Sequence, residues 1–151
     1  MQAHEIMISS IYTVQKSDIV RVAIEKFIKY RINGLPVVNE KNQIVAYISD
    51  GDIMRYIGKH QNIIYNSLDY IAFIKGDDDN FEKRIQGILD LNIMDIATKK
   101  VIKVSWDEEI ENVAAILGKR QIKNLPVERN GTLVGIISRG DVIRNSFKAI
   151  L

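Results

Sequence analysis

Two stretches of this chain say the same thing twice. Pro36 and Pro126, its only prolines, stand 90 positions apart in matching surroundings, Ile32-Asn33-Gly34-Leu35-Pro36-Val37 and Ile122-Lys123-Asn124-Leu125-Pro126-Val127. Further on, Ile44-Val45-Ala46-Tyr47-Ile48-Ser49-Asp50-Gly51-Asp52-Ile53 answers Leu133-Val134-Gly135-Ile136-Ile137-Ser138-Arg139-Gly140-Asp141-Val142, now 89 positions apart. The lost residue falls between Asn39-Glu40-Lys41-Asn42-Gln43 and Arg129-Asn130-Gly131-Thr132, polar turns where length changes are tolerated. A chain of 151 residues built this way is read as two homologous units related by a pseudo-two-fold axis. A lone unit of this size has a thin core, so the halves must bury apolar surface against each other.

Local patterns repeat in the same order. Ile11-Tyr12-Thr13-Val14 and Val101-Ile102-Lys103-Val104 read as short strands. Val20, Ala23, Ile24, Phe27 and Ile28 have helical spacing, as do Ile110, Val113, Ala114 and Leu117. Ser17-Asp18 and Asp107-Glu108 supply acceptors and negative charge at those helix starts. Leu35 to Val38 with Ile44 to Ser49, and Leu125 to Glu128 with Leu133 to Ser138, predict hairpins, Asn130-Gly131 being a strong turn pair. A second helix follows from Asp52 and from Asp141, so each unit is β-α-β-β-α, an α/β fold of the α+β type. The expected division is 1–57, an insert over 58–92, and 93–151. Within the insert, Ile63, Ile64, Tyr65, Leu68, Ile71, Ala72 and Ile74 suggest one amphipathic helix, and Phe81, Ile85, Ile88 and Leu89 a second, after a polar break at Gly76-Asp77-Asp78-Asp79-Asn80.

Composition narrows the function. Hydrophobic residues are 46% and charged residues 26%, a globular balance, with 21 Lys and Arg against 19 Asp and Glu. No dense basic run points to nucleic acid. Without cysteine there is neither a disulfide nor a thiolate metal cluster. No apolar run approaches the ~20 residues of a membrane helix, and Met1-Gln2-Ala3-His4-Glu5 does not open a secretory signal. A cytoplasmic protein is expected. Catalysis finds no support: His4 and His60 share no motif, and no metalloprotease, nucleophile-elbow or phosphate-loop pattern occurs. Asp77-Asp78-Asp79 lacks the alternating spacing and closing Glu of a calcium loop.

The recurring Ser-x-Gly-Asp is the informative element. Ser49-Asp50-Gly51-Asp52 and Ser138-Arg139-Gly140-Asp141 each end a strand and open a helix. Ser-x-x-Asp approximates a capping box, which satisfies backbone donors at a helix start. The same turn exposes N–H groups and a hydroxyl able to hold an anion, while the ionised Asp, an acceptor only, suits a ribose diol. Both readings can hold together.

The order strand, helix, Leu-Pro-Val, turn, strand, Ser-x-Gly-Asp resembles the cystathionine-β-synthase (CBS) domain, and two in tandem resemble the pair called a Bateman module. The resemblance covers about residues 5–57 and 93–150. It implies a disc-like pair with two clefts that bind an adenosine-containing ligand (AMP, ADP, ATP or S-adenosylmethionine), a regulatory rather than catalytic role, and a homodimer acting on a separate protein. Carried over by position, one cleft would use Asp141 for the ribose, Ser138, Arg139, Lys123 and Asn124 on the phosphate side, and Ile136 on the strand before Ser138. Ser17, Asp18, Ala23, Ile32, Asn33 and Gly34 would line its base side. The mirror cleft would use Ser49 and Asp52, with Asn33 and Gly34 toward the phosphate and Asp107, Glu108, Val113, Ile122 and Lys123 toward the base. Asp50, where the other repeat has Arg139, repels a phosphate a few ångströms away by roughly 1–4 kcal/mol, which makes the Asp141 cleft the preferred one. The competing expectation is a structural dimerisation or scaffold module with vestigial clefts, its insert making the partner contacts.

Overall fold

The computed structural model describes residues 1–60, 63–66, 71–74, 80–119 and 122–151. In chain order the elements are α1 (Ala3–Ile6), β1 (Val14–Gln15), α2 (Val20–Tyr30), β2 (Gly34–Val38), β3 (Ile44–Ser49) and α3 (Asp50–Ile57). The insert contributes β4 (Ile63–Asn66), β5 (Ile71–Ile74) and α4 (Phe81–Leu89). Then come α5 (Ile93–Ile96), β6 (Val104–Ser105), α6 (Ile110–Lys119), β7 (Asn124–Arg129), β8 (Thr132–Ser138) and α7 (Arg139–Phe147). Each unit is the expected β-α-β-β-α, folded as a three-stranded sheet of order β1-β2-β3 or β6-β7-β8. In both, the first pair is parallel and the second antiparallel, with a register shift after Val37 and after Val127.

The sequence explains this pleat. In β3, Ile44, Ala46 and Ile48 are buried and alternate with partly exposed residues; in β8, Leu133, Gly135 and Ile137 do the same, the pattern of a half-covered sheet. The central strand β2 is buried from Leu35 to Val38. Pro36 is tolerated there because β1 pairs only with Val37 and Val38 and stops short of it. Its opposite neighbour Tyr47 sends its backbone N–H and C=O the other way, to Thr98, at 2.9 Å each. Pro126 repeats the arrangement opposite Ile136, whose backbone pairs with Ile8 at 2.9 Å in both directions.

Those last two contacts reveal an exchange. The helix preceding each unit packs into the other: Ala3 and Ile6 of α1 belong to the core of Val113, Leu125 and Ile137, whereas Ile93 and Ala97 belong to the core of Val20, Leu35 and Ile48. Isolated bridges come in matched pairs, Gln2 with Glu109 beside Asn92 with Ile19, and Ile8 with Ile136 beside Thr98 with Tyr47. The fifth, Gln43 with Thr132, joins equivalent positions and therefore lies across the pseudo-axis. Side-chain volume follows the exchange. A Cβ on Gly135 would collide with the Met7 side chain; the equivalent strand position, Ala46, shares its core with the smaller Ala97.

Several local expectations are corrected. The run from Ile63 to Ile74 is not a helix: β4 and β5 pair antiparallel, Ile63 with Ile74 and Asn66 with Ile71. Leu68 and Asp77-Asp78-Asp79 lie outside the described residues. The second insert helix is present as α4, capped by the Asn80 side chain, and Ile88 reaches the first core. The opening strands are shorter and later than read, leaving Ile11–Thr13 and Val101–Lys103 unpaired. Ser17-Asp18 does not cap α2, whose N-cap is Ile19; the Asp18 carboxylate accepts from the Gln15 N–H instead, at 2.8 Å. Among the described residues no helix is long and apolar enough to cross a membrane.

Candidate functional site

Both Ser-x-Gly-Asp turns form the capping box their spacing suggests. In the first unit Asp52 Oδ2 accepts from the Ser49 N–H at 2.9 Å and from its hydroxyl at 3.2 Å, while Ser49 Oγ accepts from the Asp52 N–H at 3.4 Å. In the second, Asp141 Oδ2 accepts from the Ser138 N–H and hydroxyl at 2.8 Å each. Both aspartates are only 5% exposed. Their Oδ2 atoms are thus committed to the fold, and chemistry is left to Oδ1.

At Oδ1 the units differ. Asp141 Oδ1 accepts from Arg144 at 2.7 Å. Asp52 Oδ1 accepts from Arg55, one helical turn on, and also from the Thr98 hydroxyl at 3.1 Å. Thr98 arrives through the exchanged segment, and its counterpart is the apolar Ile8.

The larger of the two described cavities opens at this point, with a volume of about 400 Å³. That is within the usual range for a small-molecule site. Val101, Ile102, Ile122 and Pro126 give it an apolar wall; Ser49, Asp50, Gly51 and Arg55 form the edge at the start of α3. Asn33, Tyr47, Thr98, Lys100, Lys123 and Asn124 complete it, so both units contribute. Thr98 and Arg55 stand between Asp52 and the cavity, and Asp52 does not itself line it.

Tyr47 closes one side. Its ring lies against Gly34, where a Cβ would meet the phenol oxygen at 2.5 Å, and the phenol bonds to Asn124 of the other unit. Burial pushes the Tyr47 phenol above its ordinary pKa; the Asn124 bond pulls it down, and the neighbouring Asp50 charge raises it. Asp50 in turn faces Lys123 across the units at 3.7 Å.

The sequence expectations sort against this geometry. Ser49, Asn33, Ile122, Lys123 and Asn124 meet at the cavity. Ala23 and Val113, equivalent positions on the inward faces of α2 and α6, are corrected from base contacts to core: both are 0% exposed and have no surface to offer a ligand. Asp107 and Glu108, expected toward the base here, do not line the cavity, and Ser17 and Asp18, expected at the Asp141 cleft, line neither described cavity. Asp107 accepts from the Ser105 hydroxyl, and Glu108 from Asn112. Ile32 packs on the first core, Gly34 lies under Tyr47, and Ile136 pairs with Ile8. Arg139 donates to the Leu117 carbonyl at 3.1 Å and lines the smaller cavity between α6 and α7. The larger described cavity is on the Asp50 side, where Lys123 from the opposite unit faces a charge that the sequence left unmatched.

Tyr47, Arg55, Thr98 and Lys100–Ile102 escaped the sequence reading. For Arg55 a signal existed: Asp-x-x-Arg recurs at Asp52–Arg55 and Asp141–Arg144.

Comparison with known proteins points to one family. A family model for the CBS domain matches residues 3–59 and 93–148. Uncharacterized protein MJ1426 of Methanocaldococcus jannaschii is 33% identical, over 95% of this chain and 89% of that protein. Inosine-5'-monophosphate dehydrogenase of the same organism is 26% identical, over 95% of this chain but only 23% of the enzyme. The solved structure of CBSX2 in complex with AMP superposes with a TM-score of 0.73 at 22% identity, covering 98% of this chain and 97% of that one.

Proposed function

Given that this chain belongs to the CBS-domain family, we propose that it is a regulatory module that binds an adenosine-containing ligand in the cavity between its two units. The observation that carries the reading is the pairing of an apolar wall with a buried acceptor behind two displaceable donors. The base would lie against Val101, Ile102, Ile122 and Pro126. The ribose hydroxyls would donate to Asp52 Oδ1 in place of Thr98 and Arg55, whose side chain is 71% exposed and has room to turn away. Arg55 and Lys100 supply positive charge for a phosphate. The AMP bound by CBSX2, which shares this fold, supports the same ligand class. The equivalent cleft, with Ser138, Asp141 and Arg144, is assigned as the secondary site. We assign no catalytic step, and place the protein in the cytoplasm acting on a separate chain.

Thermal-shift and calorimetric titration with adenosine, AMP, ADP, ATP and S-adenosylmethionine tests this. A ligand at 100 times its Kd adds about 2.7 kcal/mol of stability. Failure of all five leaves the scaffold reading. Homodimerisation belongs to either reading, and one observation favours it: Ile28, Met54, Ile143 and Phe147, on α2, α3 and α7, are all at least half exposed. Sedimentation at micromolar concentration is expected to give about twice the 17.2 kDa chain mass; a monomer refutes it.

A further inference from the structure

We propose that the cavity selects a nucleoside monophosphate over the corresponding triphosphate, with Lys100 reading the phosphate and Asp50 rejecting a longer chain. This rests on the adenosine-binding reading above and adds the charge class of the ligand. Apart from Tyr47, the ionisable lining is Asp50, Arg55, Lys100 and Lys123. Asp50 and Lys123 neutralise each other across the units at 3.7 Å. Arg55 is held by the buried Asp52 carboxylate. Lys100 has no polar partner among the described residues, so its charge is the uncompensated one at the cavity.

Ligand entry changes this balance in a defined way. Ribose hydroxyls donating to Asp52 Oδ1 replace the bond from Arg55, and the guanidinium is released toward the cavity. Two cations, Arg55 and Lys100, are then available. A phosphate monoester carries about −1.5 to −2 at pH 7, so one such group matches them. A triphosphate brings further negative charge, which only Lys123 remains to meet. Drawing Lys123 away uncovers Asp50, whose carboxylate then repels the chain that displaced its partner.

The pseudo-symmetry supplies an internal contrast. The positions equivalent to Lys100 and Asp50 are Ser10 and Arg139, so the other cleft has neither the reading cation nor the rejecting anion. Lys100 and Asp50 therefore differ in charge from their copies, as does Lys123, whose copy, the neutral Asn33, lines the same cavity.

Isothermal titration of the full chain at constant ionic strength with adenosine, AMP and ATP tests the proposal, using the wild type, Lys100→Gln and Asp50→Asn. The wild type should bind AMP about tenfold more tightly than adenosine, and more tightly than ATP. Lys100→Gln should weaken AMP roughly five- to tenfold and leave adenosine within about twofold. Asp50→Asn should raise ATP affinity several-fold and narrow the gap between AMP and ATP. Tighter binding of ATP than AMP by the wild type overturns the proposal. So does an equal loss of adenosine and AMP in Lys100→Gln, or an unchanged AMP to ATP ratio in Asp50→Asn. Each of those outcomes leaves the adenosine-binding reading standing. A wild type that binds none of the three refutes that reading, and this inference with it.

Discussion

Replacing Gly34 by alanine tests the packing that closes the cavity. Gly34 does not have the left-handed φ that would demand glycine, and the equivalent position carries Asn124, so the backbone accepts a side chain. The obstacle is Tyr47. A Cβ at position 34 would come within 2.5, 2.8 and 2.9 Å of the phenol oxygen, Cε1 and Cζ. The ring must move, and with it goes the bond to Asn124. Overpacking of this kind costs about 1–3 kcal/mol and a lost hydrogen bond about 1 kcal/mol, against about 0.4–1 kcal/mol recovered from the stiffer unfolded chain. The net loss is about 1–3.5 kcal/mol, or about 2–14 °C in Tm for a chain of this size. Urea denaturation of the wild type, Gly34→Ala, Tyr47→Ala and the double variant measures it. The double variant should lose clearly less than the sum of the singles, because shortening Tyr47 removes the collision. Additive losses, or a Gly34→Ala variant as stable as wild type, would refute the reasoning. Gly51→Ala is the control: on α3 its Cβ meets nothing nearer than 3.5 Å, so it should be neutral or stabilising by up to about 1 kcal/mol.

Asp52→Ala and Asp141→Ala should each cost about 0.5–2 kcal/mol through the lost capping box, read by thermal melts. Asp52→Ala should also weaken adenosine binding at the tighter site, by about ten- to a hundredfold, and an equal loss at that site from Asp141→Ala would contradict the placement of the ligand. Tyr47 gives an alkaline signature. Its folded pKa is raised above the ordinary 10.0, so the folded state holds the proton longer than the unfolded one. Stability is therefore full below about pH 10 and falls as pH rises toward the folded value. Tyr47→Phe should flatten that part of a stability profile while leaving the neutral region's slope unchanged.

The repeat made most of the fold readable. Two prolines in register, with the strands around them, placed β2, β3, β7 and β8 to within a residue or so. The insert was misread because Ile63, Ile64, Ile71 and Ile74 satisfy helical spacing by accident. The β-branched and aromatic richness of Ile-Ile-Tyr and Ile-Ala-Phe-Ile was the better guide, and it points to strands. At the site, Ser49, Asn33 and Lys123 were visible because they sit in or beside repeated motifs. Thr98 and Lys100 were not, since nothing local announces that the segment after α5 crosses to the other unit. Asp50 was read as an unbalanced charge for the same reason. Its neutralising partner lies 73 positions away and meets it only once the units have docked.

The traded helices α1 and α5 make the two halves each other's hostages. A free copy of one unit, carrying its own leading helix, has no way to fold that helix back into its own core in this geometry. Two free copies would each lend the helix to the other, and the present chain is the covalent form of that bargain. A break in the segment joining α3 to α5 would not release two independent domains. It would leave two interlocked pieces, and pulling them apart would strip Ile93 and Ala97 from one core and Ala3 and Ile6 from the other.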